Sequence, residues 1–140
     1  NQKIMEIKIN RNHSTRLYTI GTLSINGKRT TLTVEDTASM LLAGTYEVRL
    51  SSGLSRRRLI VIINRPGMRK FHAGGSYLSS RKHHAICIGE DLIPGALKKG
   101  GDVYDRLFDR IEKAELRKEP ISLVITDKGM TTGTPISHWL

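Results

Sequence analysis

Residues Thr19 to Asp36 read TIGTLSINGKRTTLTVED, and the Asn26-Gly27 pair at the centre decides how the chain is organised. Asn-Gly between two alternating apolar runs is the strongest short-range hairpin signal, because both residues tolerate the positive φ of a two-residue turn. Before the turn, Leu17, Thr19, Gly21, Leu23 and Ile25 fall on one face of a strand. After it, Lys28 to Glu35 is predicted to return antiparallel with Leu32 and Val34 facing inward.

The same period of two extends outward on both sides. Met5, Ile7 and Ile9 alternate with polar residues as a half-buried strand. Asp36 to Gly44 is a connection, and Tyr46, Val48 and Leu50 alternate again. A turn is expected at Ser51 to Ser55, then the most buried strand from Arg57 to Ile63, broken by Asn64-Arg65-Pro66-Gly67. Arg69 to His72 is a short extended piece, followed by a loop to His84 and a strand from Ala85 to Gly89. One helix is predicted, capped by Asp102 with Asp105 three residues on. Its stripe is Tyr104, Leu107, Phe108, Ile111 and Ala114, a spacing that suits core packing. Pro120 ends that segment, and Ile121 to Thr126 makes the last strand. The expected fold is mostly β with a single α-helix in the C-terminal half. A domain over residues 1–127 and a Gly-, Thr- and Pro-rich tail over 128–140 follow from this division.

Composition narrows the functional classes. At 140 residues the chain is one domain with enough core to fold without staples. No run approaches the roughly 18 apolar residues of a membrane span. The first residues show no secretory pattern, so synthesis in the cytoplasm is expected. The single cysteine excludes an internal disulfide and a zinc ribbon. A formal charge of +10 favours polyanionic partners. Basic runs stand at Arg56-Arg57-Arg58, Arg69-Lys70 and Arg81-Lys82-His83-His84. Aromatic residues make up only 5%, which disfavours single-strand stacking platforms, and no nucleic-acid-binding motif is present.

Function is sought in FHAGGSYLSSRKHHAICIGE, Phe71 to Glu90, which holds three of the five histidines, the one cysteine and a Gly-Gly pair. His72 is suited to act as a base if its imidazole is neutral. His83 and His84 point to opposite sides if extended, so at most one of them is expected to face a cleft. The set His72, His83 and Cys87 matches no familiar zinc spacing, and neither a metal nor another cofactor is expected.

The order of these segments, from TIGTLSINGKRTTLTVED through AGTYEVRLS, NRPGMRKFHAGG and AICIGEDLIPG to ISLVIT, resembles a small bacterial and phage domain family of unknown function. That family is itself similar to the L,D-transpeptidase (YkuD-type) catalytic domain. The resemblance runs from Met5 to about Asp127 and rests on the order of the segments together. It implies a β-sandwich- or barrel-like, L,D-transpeptidase-like α+β fold and a cysteine acyl-enzyme acting on peptidoglycan stem peptides. His72-Ala73-Gly74 matches the family's upstream His-small-Gly, and Ile86, Gly89 and Glu90 match its Gly-Cys-Ile…Gly-Glu segment. His83 falls where transpeptidases carry the motif histidine, His84 where they carry glycine, and Ala85 where they carry the nucleophilic cysteine. The resemblance thus assigns His72, His83 and the position of Ala85 to catalysis. Gly74, Gly75, Arg81, Lys82, His84, Ile86 and Gly89 fall to substrate binding.

Alanine supplies no nucleophile. Residue 85 is either an engineered replacement of cysteine or the mark of a natural pseudoenzyme that still binds wall peptide. A third alternative moves the role to Cys87, two residues along the same strand face and about 6–7 Å away. Two other functions compete with a peptidoglycan-directed one. One is a basic module for nucleic acid, the other a component of a phage or secretion particle docked through His138-Trp139-Leu140. Because domains of the resembled kind also occur as wall-attacking toxins, the resemblance further implies delivery to the periplasm or wall and an immunity protein as partner.

Overall fold

The computed structural model describes residues 3–51, 59–64 and 67–134. In chain order the elements are β1 (Met5–Ser14), β2 (Tyr18–Ile25), β3 (Lys28–Asp36), β4 (Gly44–Leu50), β5 (Ile60–Asn64), β6 (Gly67–Ala73) and β7 (Gly75–Ser76). Then come α1 (Tyr77–His83), β8 (Ala85–Ile93), β9 (Ala96–Lys98), α2 (Gly100–Leu116), β10 (Ile121–Thr126) and β11 (Thr131–Thr132). The turn expected at Ser51 to Ser55, the Arg56-Arg57-Arg58 run, the Arg65-Pro66 break and His138-Trp139-Leu140 lie wholly or partly outside the described residues.

The hairpin at Asn26-Gly27 forms as predicted, with φ of 50° and 85° at its two residues. Asn26 also stitches the turn to β1: its Oδ1 accepts from the Glu6 N–H at 2.8 Å, and its own N–H donates to the Glu6 carbonyl at 2.8 Å. From this hairpin the sheet runs β3-β2-β1-β10-β4-β5-β6-β8, and β8 pairs back onto β3. Eight strands therefore close a barrel. Closure satisfies both edges of the sheet, and eight strands leave an interior that side chains can fill. Two pairs are parallel, β1 with β10 and β6 with β8; the remaining barrel pairs are antiparallel.

Alternation along the strands directs Met5, Ile7, Ile9, Leu23, Ile25, Ile62, Phe71, Ile86, Ile88, Leu123 and Ile125 into one core. The strand ends at Met5, Leu50, Ile60 and Ala73 lie at one mouth of the barrel, and α2 packs there. Its buried residues Val103, Leu107, Ile111 and Ala114 join the same core. Two side chains of α2 also serve the last pair of β4 and β5. Glu115 Oε2 accepts from the Leu50 N–H at 2.9 Å and Tyr104 Oη from the Ile60 N–H at 3.2 Å.

The helix begins two residues before the expected Asp102 cap. Lys99 stands at its N-cap in a left-handed conformation, and Asp102 lies in the first turn, where its charge suits the helix dipole. The early start depends on Gly100, because a Cβ there would lie 1.9 Å from the Gly74 nitrogen.

Three further departures from the sequence reading have local causes. A second helix, α1, stands where a loop was expected. Its one exposed apolar residue, Leu78, and buried Ser80 offer no apolar stripe to detect, although a Ser76/Ser79 capping box starts it. Leu32 and Val34 face away from the barrel interior and form a small second core with Cys87 and Leu97. The inner face of β3 carries Thr31, Thr33 and Glu35 instead, all buried. Finally, part of the expected tail is ordered: Thr131 and Thr132 pair parallel with His13 and Ser14.

Glu35 explains the polar inner face. Arg11, 1% exposed, makes a two-pronged ion pair with it, at 2.9 Å from Nε and 2.7 Å from Nη2. Arg11 also donates to the Leu41 carbonyl at 2.7 Å and to Asp127 at 3.2 Å. This network lies away from the mouth occupied by α2 and joins β1, β3 and the connections after β3 and β10. Breaking one half of it strands a buried charge. Glu35→Leu or Arg11→Met alone is expected to cost about 3–5 kcal/mol in urea denaturation. The double variant should recover much of that loss, and a single-variant cost below about 1 kcal/mol would show that the network carries no such stake.

Candidate functional site

The expected site residues gather on the outer wall of the barrel, where α1 lies over β6, β8 and β3. The pairing of β6 with β8 sets Lys70 beside Ala85, Phe71 beside Ile86 and His72 beside Cys87. Phe71 and Ile86 belong to the interior core. Lys70, His72, Ala85 and Cys87 therefore share the outer face.

His72 is half-buried. Its Nδ1 lies 3.0 Å from the Gly74 carbonyl oxygen, so in the neutral ring Nδ1–H donates there and Nε2 keeps its lone pair. The two glycines that follow are needed for this turn. Gly75 has φ of 102°, and a Cβ on it would lie 2.8 Å from Ser79 Oγ. Gly74, at φ of 64°, donates its N–H to the Ile88 carbonyl at 2.7 Å.

α1 delivers the second imidazole. His83 is its last residue, and the His83 ring stacks on that of His72 with centroids 4.7 Å apart and planes 17° from parallel. Desolvation first, then the charges of His72, Lys70 and Lys82, lower the affinity of His83 for a proton. Ser80, buried beneath α1, fixes how the helix sits: its Oγ donates to the Ala85 carbonyl at 2.6 Å and accepts from the Asp36 N–H at 2.9 Å. Ser80 therefore bolts α1 to both β3 and β8. Lys70, read only as part of a basic run, and Ser80 were not among the expected site residues, because β6–β8 pairing and the docking of α1 bring them to this wall.

The remaining expected residues separate. His84 caps α1 in a left-handed conformation, φ 50° and ψ 53°, with its side chain exposed. The backbone thus takes at His84 the shape that glycine would favour. Arg81 is engaged by Asp36 at 3.2 Å. Lys82 is exposed, and neither it nor Lys70 makes an ion pair among the described residues. Ile86, expected to touch substrate, is buried in the barrel core, because alternation along β8 turns it inward. Gly89 also proves structural: its carbonyl accepts from Thr31 Oγ1 at 2.7 Å, and a Cβ there would lie 2.5 Å from the Lys98 carbonyl.

Ala85 is 4% exposed at the head of β8 and presents a methyl group to the outer face. Cys87 is 0% exposed, with its Sγ 3.7 Å from the Ser76 carbonyl, and burial pushes its thiol pKa up to about 12. It is a small buried hydrophobe rather than a nucleophile. Among the described residues no group of three His, Cys, Asp or Glu side chains is arranged for a metal ion. The site as built brings two imidazoles together, with no accessible thiol beside them among the described residues.

Comparison with protein-family models, curated proteins and solved structures gives no match to this chain. The resemblance to the L,D-transpeptidase domain therefore stands on the residues quoted above.

Two outcomes are expected. Cys87 should resist a thiol-labelling disulfide reagent at pH 8 in the native protein and react fully in denaturant; rapid native labelling would contradict its burial. His84→Gly should raise stability by about 1 kcal/mol, seen as a Tm higher by a few degrees, because it relieves a left-handed residue with a side chain.

Proposed function

We propose that this domain is a peptidoglycan-directed, L,D-transpeptidase-like protein that in this chain binds stem peptide without acyl transfer. One observation carries the reading. His72, with Nδ1 anchored on Gly74 and Nε2 left as an acceptor, shares a sheet face with residue 85 and is stacked by His83. An imidazole on this face could serve as the base that acyl transfer needs, and a methyl group stands at the position the resemblance gives to the nucleophile.

With cysteine at residue 85, the chemistry would follow from this arrangement. An imidazole takes the thiol proton, and the thiolate adds to a stem-peptide carbonyl. Collapse of the adduct breaks the peptide bond, leaves a thioester and releases the amine, which takes up the proton. An incoming amine or water then cleaves the thioester. Alanine stops this sequence before its first bond forms and leaves the binding groups in place.

The test compares this chain with Ala85→Cys on defined tetrapeptide muropeptides, followed by mass spectrometry. The expected result is turnover or an acyl adduct in the variant alone, and retention of both proteins on purified sacculi. A variant that neither reacts nor is retained would end the proposal. The charge of +10 favours a second reading, binding to nucleic acid. Affinity for DNA that falls steeply with salt, without retention on sacculi, would select it.

A further inference from the structure

We infer that a basic groove beside α2 binds the phosphodiester backbone of a duplex nucleic acid without reading its sequence. The groove shares no residue with the His72–His83 wall, and the inference does not depend on what that wall holds.

The groove lies where the start of β1, the Asn26-Gly27 turn and the C-terminal half of α2 meet, and its volume is about 340 Å³. Backbone bonds fix its walls. The Met5 N–H donates to the Pro120 carbonyl at 2.9 Å and ties the chain leaving α2 to β1. The Asn26 N–H donates to the Glu6 carbonyl at 2.8 Å and ties the turn to the same strand. Lys3, Arg110, Lys113 and Arg117 line the groove against one carboxylate, Glu119. Lys3, Arg110 and Arg117 are exposed, and their side chains make no ion pair or hydrogen bond among the described residues. Lys113 is engaged by Asp109 at 3.0 Å, a pair open to water. Asn26 uses its Oδ1 to accept from the Glu6 N–H, which leaves its side-chain N–H groups as donors.

The spacing in the sequence puts these charges in a row. Arg106, Arg110, Lys113 and Arg117 follow one another at intervals of four, three and four residues, which is one flank of a helix. Asp105, Asp109 and Glu112 fall on a separate flank at the same kind of spacing. From Arg110 to Arg117 the row runs about 10 Å, at about 1.5 Å per residue. The helix dipole favours cations in the last turn, and its effect fades beyond it. It accounts for Lys113 and Arg117, but not for Arg110 one turn earlier or for Lys3 from another segment.

Shape and lining select the ligand. A row with one cation per turn suits a linear ligand with regularly repeated anions better than a single ion. A concave surface admits a strand and disfavours a flat bilayer. Past the turn, a second groove of about 370 Å³ follows the outer face of β1 and β2, lined by Lys8, Asn10, Asn12, Thr22 and Ser24 with no carboxylate. Amides and hydroxyls of this kind contact phosphate oxygens alongside Lys and Arg. Neither groove is lined by an aromatic side chain, so bases have nothing to stack on, and the backbone of a duplex is the fitting partner. Such binding is driven by counterion release.

The test follows the anisotropy of a fluorescein-labelled duplex of about 20 base pairs, titrated with the full chain from about 50 to 200 mM salt. The expected affinity falls steeply with salt and is the same for a scrambled sequence. Lys3→Gln/Arg110→Gln/Arg117→Gln should bind at least tenfold more weakly at the lower salt, with a salt slope shallower by roughly one unit per cation removed. Arg16→Gln/Lys98→Gln/Lys128→Gln removes the same net charge at exposed positions outside both grooves. It should stay within about threefold of the unchanged chain, because distant exposed charges are screened. Glu119→Gln should tighten binding, and the far-UV circular dichroism of every variant should match that of the unchanged chain. Equal losses in the two triple variants would overturn the groove and leave nucleic-acid binding to the overall charge. A chain that binds no duplex would remove both. Poly-L-glutamate that displaces the labelled duplex at a lower anion concentration than unlabelled duplex would replace the phosphodiester with a polycarboxylate ligand.

Discussion

The rest of the molecule depends on the closure of the sheet between β3 and β8. Only three residue pairs make the seam: Leu32 with Gly89, Thr33 with Ile88 and Val34 with Cys87. The Thr31 hydroxyl reinforces it by donating to the Gly89 carbonyl. Closing the sheet turns the hairpin at Asn26-Gly27 from one end of a ribbon into part of a wall. It also gives β8 two buried faces, one against the barrel core and one against the small core of Val34, Cys87 and Leu97. The absence of a side chain at Gly89 allows the Lys98 carbonyl to approach at this seam.

The outer small core is what seats α1. The helix has seven residues and no apolar stripe, so its own propensity would not hold it in water. Ser80 ties it to the Asp36 N–H and the Ala85 carbonyl, and the Ser76/Ser79 box satisfies its first turn. Through this docking His83 comes to lie on His72, eleven residues earlier in the chain. The site thus depends on the β6–β8 pairing, which sets His72 on the same wall as Ala85, and on the seam, because Ser80 anchors α1 to β3 as well as to β8.

Two groups of charge divide the molecule. In the interior, Arg11 and Glu35 neutralise one another in a buried pair completed by Asp127 and the Leu41 carbonyl. On the outer wall, Lys70 and Lys82 make no ion pair among the described residues. A protein with a net charge of +10 can afford basic residues anywhere on its surface.

Much of the fold could be read without the structure. The Asn-Gly turn, the alternation in Met5 to Ile9, Tyr46 to Leu50 and Ile121 to Thr126, and the stripe of α2 are local signals. They correctly indicated a mostly β domain with a late helix, because side-chain period is a property of neighbouring residues. Of the residues on this wall, His72, His83 and Ala85 were picked out from the sequence and Ser80 was not, while Ile86, expected to bind substrate, is buried in the core. Which face of β3 is the inside could not be read, since Leu32 and Val34 look like core residues while Thr33 and Glu35 do not. The distant partner Arg11 decides that Glu35 can be buried, and the second core decides that Leu32 and Val34 can leave the interior. Sequence alone determined most of the long strands, the helix α2 and the chemical character of the His-rich stretch. Tertiary structure decided which residues meet, because pairing across β3–β8 and β6–β8 joins positions that no local period connects.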